Sequence, residues 1–206
     1  MAARQAFLGR GFSDPVHDSG LAFRSLLMAM ARPGEVHGLD FSLEPPAPLT
    51  PAMAAAVLTL ADLDTPLWLA PEADTGDVRE YFRFHCGCPV TDDPVRASFA
   101  VAVRGDALPA LDRFSLGSEL RPERSTTLLV QVTALDGGAP LRLSGPGIDG
   151  QTVFAPKGLD PNFAAIRQEL APLYPQGVDL ILVTRDRVAC LPRTTLVVDD
   201  RTQEEN

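Results

Sequence analysis

Three runs limit the fold more than anything else in this chain. Thr127 to Val132, Val178 to Val183 and Val188 to Leu191 are apolar almost without interruption and rich in β-branched or leucine side chains. A strand with one wet face alternates apolar with polar residues, so a continuous apolar run belongs in a sheet covered on both faces. Pro66 to Ala70, Ala97 to Val103, Leu141 to Ser144 and Thr194 to Val198 read as further strands. Helix signals lie between them. Asp14 and Pro15 form an N-cap and first helical position, and Val16, Phe23, Leu26, Leu27 and Met30 recur at helical spacing until Arg32, Pro33 and Gly34 stop the run. Thr50 and Pro51 repeat the cap before an alanine-rich helix over Met53 to Leu63. Thr75 caps a third helix, with Val78, Tyr81, Phe82 and His85 on one face and Gly87 and Pro89 ending it; Asp160 and Pro161 cap a fourth reaching to about Leu173. Pro45 to Pro48 can only be an extended connection. This alternation predicts an α/β protein with a mixed sheet covered on both faces, and the closely spaced last strands predict an antiparallel edge.

The 206 residues, 45% of them hydrophobic and 22% charged, suffice for one core without disulfide or metal staples. A single domain over 1–206 is the expectation, with 1–10 and 200–206 flexible. Eighteen basic against 27 acidic residues give a formal charge of −9, which repels nucleic-acid phosphates and anionic lipid. Neither nucleic acid nor membrane is an expected partner. No run approaches the roughly 20 apolar residues of a membrane span, and the first twelve residues lack a signal peptide's apolar stretch. With three cysteines, an odd number that cannot all pair within one chain, the predicted location is the reducing cytoplasm.

His85, Cys86 and Cys88 offer imidazole and two thiols for zinc, with Cys190, His17 and His37 as candidate completing ligands. One residue between the thiols is tighter than zinc sites use, so the preferred reading is half-buried thiols at a helix end, with no metal. Lys157 is the single lysine, so any Schiff base, including one with pyridoxal phosphate, would need it; its turn context reads as a solvated loop charge and no cofactor is expected. The segment SGPGIDG at 144–150, with Gly145 and Gly147, could bring backbone amides to a phosphate, or be a turn between two strands. Arg193, Thr194 and Thr195 present a guanidinium and two hydroxyls suited to a phosphonate or triphosphate oxygen. Equally, Arg193 could pair with Asp179 or Asp186, or the segment could form a subunit contact. Asp92, Asp93 and Asp112 read as solvated surface.

Taken in order, FSDPV at 12–16, AFRSLLMAMARPG at 22–34, FRFH at 82–85, ASFA at 97–100, RPERSTTLL at 121–129, LRLSGPGI at 141–148, YPQGVDLILV at 174–183 and LPRTT at 191–195 resemble the PhnH family, the H subunit of the carbon-phosphorus lyase core complex. The resemblance covers nearly the whole chain. It implies a three-layer α/β/α sandwich resembling a truncated pyridoxal-phosphate-dependent transferase that has lost the cofactor. It also implies a homodimer when alone, and partnership with the G, I and J subunits, with direct contact to J.

The implied role is in phosphonate catabolism, supporting formation of ribose 1-alkylphosphonate 5-triphosphate from ATP and an alkylphosphonate. The chain would be a scaffold component of a multi-subunit transferase with no catalytic residue of its own. A competing expectation is a small-ligand enzyme with a site at the homodimer junction, built around His85, Arg193, Thr194 and the Gly145 to Gly147 turn. The candidate ligand or interface residues are thus His85, Gly145, Gly147, Arg193, Thr194 and Thr195.

Overall fold

A computed structural model describes residues 8–199 of the chain. The segments 1–7 and 200–206, where flexibility is expected, lie outside the described residues. Gly9 and Arg10 are tied through their backbone to the helix Gly76–His85: the Gly9 carbonyl meets the His85 ring at 2.9 Å, and the Arg10 carbonyl accepts from the Tyr81 hydroxyl.

Among the described residues, nine strands form two sheets. In the larger, β2 (Leu67–Leu69), β3 (Phe99–Ala102), β4 (Thr127–Gln131) and β7 (Asp179–Val183) run parallel in that spatial order; β8 (Arg187–Leu191) then pairs antiparallel with β7, and β1 (His37–Gly38) antiparallel with β8. The sheet is therefore mixed, with the antiparallel edge the sequence predicts. The smaller sheet is antiparallel throughout, with β5 (Leu141–Ser144) between β6 (Thr152–Phe154) and β9 (Leu196–Asp199).

Because side chains alternate along a strand, the large sheet divides the core in two. Leu67, Leu69, Val101, Leu129, Ile181, Val183, Val188 and Cys190 pack with α1 (Pro15–Ala31), α2 (Pro51–Leu60) and α3 (Gly76–His85). Their strand neighbours Trp68, Ala100, Leu128, Val130, Leu180, Leu182 and Leu191 pack on the other side with α4 (Phe163–Leu170), the small sheet, and Leu111 and Phe114. The apolar side chains of the large sheet thus fall into two buried clusters, one of which also includes residues of the second sheet.

Three helix starts follow the predicted caps. The Asp14, Thr50 and Thr75 side chains accept from the backbone N–H of His17, Met53 and Val78. The fourth does not. Asp160 turns its carboxylate onto the Asn162 N–H at 2.7 Å, so the chain makes a turn first and α4 begins at Phe163. From there it continues through a short 3-10 turn to Leu173. Helix α2 likewise ends at Leu60, short of the predicted Leu63, because Asp62 and Thr65 close a turn of their own.

The apolar stripe on α1 also differs from expectation. Ala22, Leu26 and Ala29 face the core, whereas Val16, Phe23 and Leu27 are exposed. Small residues let α1 sit close to α2, whose Ala52, Ala54, Ala55 and Ala56 are fully buried. The run Thr194 to Val198 begins as a strand only at Leu196, and as β9 it leaves the large sheet to pair with β5.

Candidate functional site

Helix α4, the start of β7 and the connection from β8 to β9 converge on three charged residues. Asp179, the first residue of β7, accepts from the Arg193 backbone N–H at 2.7 Å, from Nε at 3.1 Å and from Nη2 at 2.5 Å. Arg193 also donates to the Pro122 carbonyl. Of the two carboxylates open to Arg193 in the sequence, Asp179 is the one it meets.

Arg167 enters the cluster from α4. Phe163, Ala164 and Arg167 are spaced one and four residues apart, which places all three on the buried face of the helix. Its guanidinium donates to the carbonyls of Val178 at 3.0 Å, Pro192 at 2.7 Å and Thr195 at 3.5 Å. Burial lowers its pKa to about 10; the Asp179 carboxylate pulls the other way, and the Arg193 cation acts with burial. Thr195 is buried, with its N–H bonded to the Pro192 carbonyl and its Oγ1 without a hydrogen-bond partner among the described residues. A cavity of about 130 Å³ lies beside the cluster, lined among others by Arg167, Gln176, Gly177, Arg193 and Thr195.

Gly145 and Thr194 also come together. A Cβ at Gly145 would lie 2.8 Å from the Thr194 carbonyl oxygen, and one at Gly147 would lie 2.2 Å from that of Ala31. The glycine turn thus joins β5 to β6 with other backbone packed against it, including the exit of α1. His85 is elsewhere. At the end of α3 its ring meets the Gly9 carbonyl and packs against Tyr81 and Phe84, with centroids at 4.5 and 5.0 Å.

Cys86 and Cys88 flank Gly87 at the α3 terminus with their sulfurs 3.5 Å apart; Cys86 is half-buried and Cys88 buried. Their mutual hydrogen bond lowers the Cys86 pKa and raises that of Cys88, with burial adding to the latter. Cys190 is buried inside β8. Among the described residues no group of three or more His, Cys, Asp or Glu is placed to hold a metal ion. Lys157 is exposed, and its backbone bridges to Ala134.

Arg167 is the residue sequence reasoning passes over. Its one available signal is position: a cation on the helix face that also carries Phe163 and Ala164 cannot point to water.

Residues 10–198 match the family described as bacterial phosphonate metabolism protein (PhnH). The chain is 44% identical over 195 residues to the alpha-D-ribose 1-methylphosphonate 5-triphosphate synthase subunit PhnH of Rhizobium meliloti (strain 1021), covering 95% of this chain and 98% of that protein. It is 35% identical over 179 residues to the protein named "Putative C-P lyase subunit protein HtxG" from Stutzerimonas stutzeri, covering 84% of this chain and 83% of that protein.

Proposed function

The chain belongs to the PhnH family of bacterial phosphonate metabolism proteins, and on that premise we propose that it is the H subunit of a carbon-phosphorus lyase core complex. It supports formation of ribose 1-alkylphosphonate 5-triphosphate from ATP and an alkylphosphonate, as a scaffold component of a multi-subunit transferase. The observation that carries this reading is the extent of the match, 44% identity over 98% of a protein named as a synthase subunit. A shared fold alone would not carry function, but correspondence along the whole subunit supports the same place in the same assembly.

The geometry supports a scaffold over a catalytic centre. Acid-base or nucleophilic chemistry needs a base within reach of a nucleophile. In the cluster described above, Asp179 is taken up by Arg193 and, among the described residues, no base meets the Thr195 hydroxyl. The partners in this reading are G, I and J subunits, with direct contact to J and a homodimer when alone, in the cytoplasm. Residues 1–206 act as one domain, a three-layer α/β/α sandwich akin to a pyridoxal-phosphate-dependent transferase cut short and without its cofactor. What supports the layering is the pair of buried clusters on opposite faces of the large sheet.

The test is to co-express the tagged chain with the G, I and J subunits of its source and weigh the eluted species by native mass spectrometry. A stoichiometric four-component complex is expected. A chain that captures none of the three, under conditions where they assemble with one another, overturns the reading.

A further inference from the structure

The cluster at the β7 start is short of one negative charge. Arg167 and Arg193 share Asp179, yet both carboxylate oxygens accept from Arg193, and among the described residues Arg167 is met only by carbonyl oxygens. A buried cation without a counter-charge is costly, because carbonyl dipoles replace only part of the hydration it loses. A second, independent observation lies on the same wall. Thr195 is 3% exposed, its Oγ1 has no partner, and it lines the cavity that Arg167 also lines. Buried hydroxyls are normally satisfied, so an orphan beside an unneutralised guanidinium marks a place where an acceptor is missing. The space, about 130 Å³, admits a small anion but not a nucleotide, whose pockets begin at roughly 300 Å³.

We propose that this cavity binds a small tetrahedral oxyanion of the phosphate and phosphonate class. Thr195 Oγ1 donates to one anion oxygen and Arg167 supplies the balancing charge, with the Gln176 amide on the same lining. A tetrahedral anion offers acceptors in several directions at once, matching donors that approach from α4, from the segment before β7 and from the loop before β9. The need for an anion stands on charge balance and the orphan hydroxyl. The choice of phosphate class rests on the function proposed above.

The experiment is thermal unfolding of the full chain titrated with inorganic phosphate or methylphosphonate, against sodium chloride at equal ionic strength. A saturable rise of about 5–10 °C is expected at a hundredfold excess over Kd. The affinity ratio of the two probes distinguishes free phosphate from an organic phosphonate as the source. Thr195→Val keeps the side-chain shape, removes a hydroxyl that has no partner, and should fold with undiminished Tm while losing at least tenfold in affinity. Arg185→Ala, in the separate groove near the carboxyl end of β7, should leave the response unchanged. No shift beyond the chloride control, or an equal response in Thr195→Val and wild type, overturns the site. Co-purification with the G, I and J subunits is read separately, so loss of this site with assembly intact leaves the proposed function standing.

Discussion

Arg193 grips both carboxylate oxygens of Asp179, through Nε and Nη2, and its own backbone N–H returns to the same carboxylate. The two side chains are only 15% and 18% exposed, so the pair is poorly screened by water. The two ends are not equivalent. Asp179→Ala leaves both Arg193 and Arg167 without an anion and should cost about 3–5 kcal/mol. Arg193→Ala leaves Asp179 with Arg167 as a remaining favourable charge and should cost less, about 2–3 kcal/mol. Urea unfolding of the two variants decides the order, and a larger loss for Arg193→Ala would contradict the charge count at this cluster.

Helix α1 supplies a second contrast. Leu26 is 4% exposed and lies in the core with α2, whereas Phe23 is 50% exposed despite being the larger side chain. Leu26→Ala should therefore cost about 2–4 kcal/mol and Phe23→Ser within about 0.5 kcal/mol in the isolated chain. Equal losses in chemical denaturation would mean that the outer face of α1 is covered when the chain is alone.

That same helix marks how far the sequence can be read. Helical spacing located α1 and its stop correctly but could not choose between two apolar stripes, because the buried one is built largely from alanine. The central strands were legible for the opposite reason: β4, β7 and β8 are short apolar runs rich in β-branched residues and leucine, which suit a strand covered on both faces better than a helix. Strands β1 and β6 escaped, one with only two residues and the other with exposed Thr152 and Val153. In the cluster at β7, the sequence singles out Arg193 and Thr195 by residue type and leaves Asp179 and Asp186 as equal partners for the guanidinium. Arg167 stayed hidden because its hydrogen-bond partners are backbone carbonyls, which no side-chain pattern announces.

The glycine turn between β5 and β6 gives a test of backbone packing. Gly147 has φ +84° and no room for a Cβ, which would lie 2.2 Å from the Ala31 carbonyl oxygen and 2.9 Å from Pro33. Gly137 has a similar φ of +69° but open space around it. Gly137→Ala should lose only the left-handed backbone cost, about 1–2 kcal/mol, while Gly147→Ala adds a steric clash and should lose about 3 kcal/mol or more. Denaturation midpoints that coincide would show that the turn can move away from the α1 exit.

Alkaline pH should weaken the fold through two buried acids. Tyr81 is fully buried with its hydroxyl donating to the Arg10 carbonyl, and burial, helped by Cys86, pushes its pKa up to about 12. Burial pushes the Cys190 thiol up as well, with Asp179 adding to the effect. Unfolded, these groups ionise near about 10 and 8.5. Between about pH 8.5 and 12 the folded chain therefore holds protons that the unfolded chain has released, and stability must fall as pH rises. Their stabilising contribution is complete below the unfolded values and is lost as pH climbs through the folded ones. Arg167 opposes this from about pH 10 upward, since its lowered pKa lets the folded chain shed that proton first. Tyr81→Phe isolates the tyrosine: it should cost about 1 kcal/mol at pH 7 for the lost hydrogen bond and should flatten the decline between pH 10 and 12. Cys190→Ala should lower stability near pH 7, where only its packing is lost, but flatten the decline where it begins, near pH 9. Urea unfolding at unit pH steps measures both slopes. A Tyr81→Phe curve parallel to wild type would mean that the phenol does not remain protonated in the folded chain beyond its ordinary range.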